Sequence, residues 1–249
     1  MMSKMKHYLQ LTVVAVAVIA ASCSTQRNQS LTLPKGEYTY NLPCRVVNLH
    51  TDQPGRAMLV VWLHGGVHDQ AKHDLFTKNH LDMCAADDSI VNYLDRHKIK
   101  AIALMPICHK ASLPTCVTWK DCAGEVRHII NDYVSKGIVD LERIYVAGSS
   151  DGGDGAWDYA ADLGDVFAAA IAMSSETPRM TSTPVYFFNT ASEPDCTAAV
   201  DSLKRKGCNV TYKHCPQYRH GGDAAECTDQ LLTHFFSNTL HHRHNLNTP

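Results

Sequence analysis

Several features are absent from this 249-residue sequence, and each absence excludes a class of protein. The formal net charge is only −2, so the composition does not indicate a nucleic-acid partner or an anionic membrane surface. The ten cysteines contain no CxxC pair, which argues against a zinc ribbon. Neither GxGxxG, nor a loop ending in GK[ST], nor HExxH occurs, which argues against a phosphate-binding loop and a zinc protease site. The sequence therefore predicts no metal and no other cofactor.

The first 22 residues have the pattern of a secretory signal. A short positive start precedes an apolar run over residues 9–21, which is too short to span a bilayer, and the run ends in AASC. The small residues before Cys23 resemble a bacterial lipobox, so we expect Cys23 to carry the lipid of an exported protein facing the periplasm or the cell surface. This anchor is the only membrane contact that the sequence predicts. The alternative is a plain cleaved signal with Cys23 incidental.

The cysteine pattern fits export but does not fix a disulfide framework. An exported chain meets an oxidising space, so some disulfides are expected. Once Cys23 is set aside, the number of cysteines is odd, so at least one thiol stays unbridged or pairs outside the chain. Local bridges among Cys108, Cys116 and Cys122 are the simplest expectation, and their connectivity stays open.

Strand-length apolar runs alternate with helix-like segments through most of the chain. Residues 57–63 and 101–106 are apolar runs, whereas residues 121–137 carry apolar side chains at helical spacing and end at a glycine. Strands alternating with helices predict an α/β domain with a mostly parallel sheet and helices on both faces. The predicted organisation is a signal over 1–22, a flexible tether over 23–35, one domain over 36–240 and a polar tail over 241–249.

The stretch GSSDG, residues 148–152, fits G-x-S-x-G directly after a predicted strand and at the start of a predicted helix. So sharp a turn strains the central serine, and glycines on both sides remove Cβ atoms that would collide with the neighbouring strand and helix. Ser150 is then held at the apex as a nucleophile, whereas Ser149 is one residue off centre. A glycine-rich turn with an incidental serine is the alternative.

A serine hydroxyl needs a base, and the partners of this motif follow it in the order acid, then histidine. His220 is followed by two glycines after a predicted strand and is the expected base, with His214 the weaker candidate. The acid lies in the loop TASEPDCT. Asp195 is preferred because aspartate is the commoner residue in this role, and Glu193 stays open as the alternative.

Residues 64–66, His-Gly-Gly, follow an early predicted strand and can bring backbone N–H groups to the same site. We expect an oxyanion hole made by the N–H of Asp151 and that of Gly66, with Val67 as the alternative to Gly66. His64 itself is expected to be structural.

Together these residues resemble an α/β-hydrolase, with similarity to the small bacterial esterases related to feruloyl esterases, polyhydroxyalkanoate depolymerases and the phospholipase/carboxylesterase group. The pieces VVWLHGG, RIYVAGSSDGGDGAWDYA and RHGG carry the resemblance, which spans nearly all of residues 44–240. It implies a triad of Ser150, His220 and an acid in the 193–195 loop. The family usually has HGxxD where this chain has NTASE, and an ungapped count puts Glu193 on the acid.

Only about ten residues separate the predicted strands 167–174 and 184–189, where lipases of this fold insert a lid. A site without a lid suits a short acyl or aromatic ester of a bulky alcohol or sugar. The sequence therefore predicts a serine carboxylesterase, acting on ester decorations of a glycan. A peptidase of the same fold, a non-catalytic binding lipoprotein, and a metal site at His68, His73 and His80 are the weaker alternatives.

Overall fold

The computed structural model of the chain describes residues 29–31, 42, 44–66, 85–108 and 118–240. The predictions about the signal, Cys23, Val67, the histidines of residues 68–80 and the tail lie outside these residues. Among the described helices, none combines the length and the apolar character that crossing a bilayer requires.

Eight strands form one sheet in the order β1-β2-β4-β3-β5-β6-β7-β8. In this order, all neighbouring strands from β4 to β8 pair in parallel. The strands β1 and β2 pair with each other, and β2 with β4, in antiparallel, so they form an antiparallel edge. Residues 29–31, assigned to the tether in the sequence, pair with β2 at this edge. The strands are β1 (Gln29–Leu31), β2 (Cys44–Leu49), β3 (Ala57–Leu63), β4 (Ala101–Pro106), β5 (Val139–Ser149), β6 (Ala169–Met173), β7 (Val185–Thr190) and β8 (Val210–Cys215).

Helices cover both faces of the sheet, as the alternating sequence predicts. Successive residues of β3 belong to opposite cores: Val61 packs with the apolar sides of α2, α3 and α4, and Val60 with those of α1 and α5. A strand buried on both faces needs an apolar residue at every position, which explains the continuous run in β3. The helices are α1 (Ala85–Arg96), α2 (Ala123–Ser135), α3 (Asp151–Asp162), α4 (Thr197–Arg205) and α5 (Asp229–Phe236), with 3₁₀ turns at Trp119–Cys122 and Gly222–Glu226.

The connection from β6 to β7, residues 174–184, is fully described and contains no helix or strand. No lid is therefore inserted at this point of the fold. The carboxyl ends of β3, β5, β6, β7 and β8 lie along one edge of the sheet, because these strands are parallel. The described candidates for nucleophile, acid and oxyanion hole, and the candidate base His220, lie in segments that follow these ends. His214, the weaker candidate base, lies within β8.

The structure tests the predicted bridges among Cys108, Cys116 and Cys122 only in part. Cys122 takes part in a disulfide. The Sγ of Cys108 lies 3.3 Å from that of Cys122. Burial, with the charges of Asp121 and Asp151, raises the pKa of the Cys108 thiol to about 12, so it stays protonated. Cys116 lies outside the described residues.

Candidate active site

The elbow, residues 148–152, connects the end of β5 to the first turn of α3. Ser150 has a φ of 59° and a ψ of −129°, a strained conformation for a residue with a side chain, and its N–H donates to the Met173 carbonyl over 2.9 Å. A Cβ on Gly148 would lie 2.1 Å from the Gly152 carbonyl oxygen, and one on Gly152 would lie 1.9 Å from that of Leu63. Both flanking glycines are thus required for the turn to fit against β3.

The imidazole of His220 meets a carboxylate on the loop after β7. His220 Nδ1 lies 2.5 Å from Glu193 Oε1, so the two groups are hydrogen-bonded. The histidine side chain is 51% exposed, whereas that of Glu193 is 2% exposed. With Nδ1 engaged on the buried acid, Nε2 is the nitrogen left for another partner. This arrangement is that of a base whose tautomer is held by an acid behind it.

Glu193 is held in place by its own turn. Its second oxygen, Oε2, accepts from the Thr190 N–H over 2.8 Å and from the Thr190 hydroxyl over 2.7 Å. Burial acts to raise the pKa of Glu193, but the hydrogen bonds from His220 and Thr190 outweigh burial and leave that pKa below its usual value. The acid is therefore ionised at neutral pH.

Asp195, the preferred acid in the sequence, lies elsewhere. Its Oδ1 accepts from the N–H of Thr197 over 2.9 Å and from the Thr197 hydroxyl over 2.6 Å, with the Tyr212 hydroxyl at 3.2 Å. These bonds keep the carboxylate at the start of α4, on the surface. The choice of Asp195 as the partner of the histidine is therefore corrected to Glu193, the alternative that the ungapped count favoured.

The loop after β3 packs directly on the elbow. A Cβ on Gly65 would lie 2.8 Å from the Ser150 Cβ, so only glycine fits there. The ring of His64 is buried, and its Nδ1 lies 2.8 Å from the Gly65 carbonyl oxygen. Because the N–H of a trans peptide points opposite to its C=O, this contact turns the Gly66 N–H the other way. Asp151 is the first residue of α3, where backbone N–H groups point out of the helix end.

Two residues beside the site escaped the sequence interpretation. Asp223, three residues after His220, is completely buried, and both of its oxygens bond Ser174 at the end of β6. The one sign of Asp223 in the sequence was an acidic residue three positions after the candidate base.

Within the described ranges, no three His, Cys, Asp or Glu side chains are placed to hold a metal ion.

Comparison with known proteins supports the fold and little beyond it. No protein-family profile and no curated protein sequence matches the chain. Among solved structures, a thermostable esterase superposes with a TM-score of 0.62 at 18% identity, over 85% of this chain and 63% of that one. This chain thus spans less than two thirds of that esterase.

Two Staphylococcus aureus proteins match over nearly their whole length. FphF, a fluorophosphonate-binding serine hydrolase, has a TM-score of 0.58 at 12% identity, over 84% of this chain and 99% of that one. The S-formylglutathione hydrolase FrmB also gives 0.58, at 14% identity, over 84% and 98% of the two chains. Such identities establish a shared architecture rather than a shared activity, and with the sheet order and the elbow they show that this chain has the α/β-hydrolase fold.

Proposed function

We propose that the protein is a serine hydrolase of carboxylic esters, with Ser150 as nucleophile, His220 as base and Glu193 as the acid that orients the base. The observation that carries the proposal is the 2.5 Å contact between His220 Nδ1 and Glu193 Oε1, on loops at the same sheet edge as the strained Ser150. The chain order of nucleophile, acid and histidine is the one this fold uses.

In the proposed reaction, Ser150 Oγ attacks the ester carbonyl carbon while its proton passes to His220 Nε2. The carbonyl oxygen becomes an oxyanion, and the N–H groups of Gly66 and Asp151 donate to it. When the C–O bond to the alcohol breaks, His220 returns the proton to the leaving oxygen. A water molecule, deprotonated by the same imidazole, then attacks the acyl carbon, the bond from that carbon to Ser150 Oγ breaks, and His220 returns the proton to Oγ.

The proposed substrates are short-acyl or aromatic esters, with ester decorations of glycans as the proposed natural class. The short β6–β7 connection supports this, because the described chain builds no cover there for a long acyl group. Two of the structural neighbours are named as an esterase and as an S-formylglutathione hydrolase. We also propose export and lipid attachment at Cys23, to be checked by radiolabelled lipid incorporation into wild type and Cys23→Ser.

Hydrolysis of p-nitrophenyl acetate, butyrate and octanoate tests the activity. We expect turnover of the short esters, a steep fall with chain length, and loss of turnover and of fluorophosphonate labelling in Ser150→Ala. Ser149→Ala is the matched control, because that buried serine ends β5 one residue before the apex. An unlabelled, inactive wild type would move the interpretation to a binding protein, and cleavage of peptides in preference to esters would move it to a peptidase.

A further inference from the structure

Asp223 is a buried carboxylate that the proposed triad does not use. It is 0% exposed and lies in the 3₁₀ turn after His220. A carboxylate removed from water is costly unless its oxygens are hydrogen-bonded, and both oxygens here bond one residue. Oδ2 accepts from the Ser174 N–H over 2.6 Å, and Oδ1 lies 2.9 Å from the Ser174 hydroxyl. Both carboxylate oxygens of Asp223 are therefore hydrogen-bonded to the residue that follows β6.

The hydroxyl of Ser174 extends this contact to the histidine loop. Its Oγ accepts from the N–H of Gly221, the residue after His220, over 2.9 Å. Because an amide N–H can only donate, Oγ is the acceptor in that bond, and its own proton is directed to Asp223 Oδ1. Ser174 has a φ of 47°, an uncommon conformation for a residue other than glycine. A bonded pair that maintains an unfavourable backbone suggests a purpose beyond filling space.

The same strand end also holds the nucleophile. Met173, immediately before Ser174, accepts the Ser150 N–H through its carbonyl over 2.9 Å. On the other side, the Ser175 hydroxyl donates to Asp154 in the first turn of α3 over 2.7 Å. Residues 173–175 thus bond the elbow and its helix on one side and the histidine loop on the other.

We propose that Asp223 and Ser174 are positioning residues that set the place of His220 relative to Ser150. The imidazole is half exposed, and Gly221, with a φ of 80°, offers a hinge directly behind it. Glu193 fixes the orientation of the ring, and the Ser192 hydroxyl accepts the His220 N–H over 3.0 Å. The Gly221–Ser174–Asp223 chain holds the backbone of the residue that follows. This inference rests on the proposed function, since positioning is defined by the transfer of a proton from Ser150.

The decisive variant is Ser174→Gly, because glycine accepts the positive φ without strain while the hydroxyl is lost. Its backbone N–H can still donate to Asp223. We expect a lower melting temperature, because Asp223 Oδ1 and the Gly221 N–H lose their partner. Beyond that we expect a kcat lower by about tenfold to a hundredfold, the loss typical of a displaced catalytic group, and a KM within about twofold. Hydrogen exchange at the Gly221 amide should accelerate. Asp223→Asn, which turns an NH₂ toward the serine, should lower kcat in the same way.

Leu203→Ala is the control for general destabilisation, since this buried side chain of α4 belongs to the core on the opposite face from α5. It should lower the melting temperature and leave kcat unchanged. Equal kcat in wild type, Ser174→Gly and Asp223→Asn overturns the positioning role while leaving the esterase intact. A fall in kcat that only follows melting temperature overturns it as well. A wild type without hydrolysis or fluorophosphonate labelling overturns the proposed function, and the positioning role with it.

Discussion

The two carboxylates of the loop after β7 can be separated by a pair of matched amide substitutions. In Glu193→Gln the side chain keeps its size but offers one oxygen instead of two. The Thr190 N–H can only donate, so the amide oxygen must face it, and the NH₂ group then faces His220 Nδ1. To accept from that NH₂, the imidazole must carry its proton on Nε2, where it can no longer accept a proton from Ser150.

The expected loss follows from that tautomer. Replacing the acid of a serine triad by its amide costs on the order of 10⁴ in kcat, so we expect Glu193→Gln to lose about 10³ to 10⁴. This corresponds to about 4 to 5.5 kcal/mol of transition-state stabilisation. Asp195→Asn should stay within about twofold of wild type, because its oxygen can still accept from Thr197 at the exposed start of α4.

The assay is kcat and KM on p-nitrophenyl acetate, together with the rate of fluorophosphonate labelling. Both variants should melt cooperatively, so that folding is not the source of the difference. The assignment of the acid would be refuted if Asp195→Asn lost more than tenfold in kcat while Glu193→Gln retained most of its activity.

Two further predictions concern the fit of the elbow and the ionisation of the acid. Gly65→Ala places a Cβ 2.8 Å from that of Ser150 and should abolish fluorophosphonate labelling, whereas Gly124→Ala, with nothing within 4 Å, should label normally and gain about 0.5–1 kcal/mol of stability. Equal labelling of both variants would contradict the close packing. The pKa of Glu193 lies below its usual 4.5 despite burial, so its ionised form stabilises the fold above that pH, and this contribution is lost as the pH falls through the folded-state pKa. Melting temperatures of wild type and Glu193→Gln should therefore differ most above about pH 5 and converge on acidification; a constant gap would count against the ionised pair.

Local chemistry was enough to predict the fold and the elbow. A strand of a parallel sheet is buried on both faces, so every residue along it is apolar. A continuous apolar run such as 57–63 can therefore be recognised from consecutive residues of the sequence. The elbow is local in part: a Cβ on Gly148 would collide with the carbonyl of Gly152 within the same turn, whereas a Cβ on Gly152 would collide with Leu63 of the neighbouring β3. His220 could be proposed because it comes after a predicted strand and two glycines follow it directly.

The tertiary structure decided which acid faces the histidine. Glu193 and Asp195 are two residues apart on one loop, and the sequence offered only the frequency of aspartate against an ungapped count. The N–H and hydroxyl of Thr197 donate to Asp195 and hold it at the start of α4. The Thr190 hydroxyl donates to Glu193 and holds that carboxylate beside His220. Aspartate readily bonds a backbone N–H two residues on, and that tendency was a signal the sequence contained.

The pairing of Asp223 with Ser174 had no counterpart in the sequence. These residues are 49 positions apart and meet only because β6 and the turn after β8 end at the same edge of the sheet. The sequence by itself therefore determined the short-range features: the strands, the strained serine and the glycines beside it. Which side chains meet across that edge was decided by the tertiary structure, because hydrogen bonds between distant loops depend on strand order rather than on neighbouring residues.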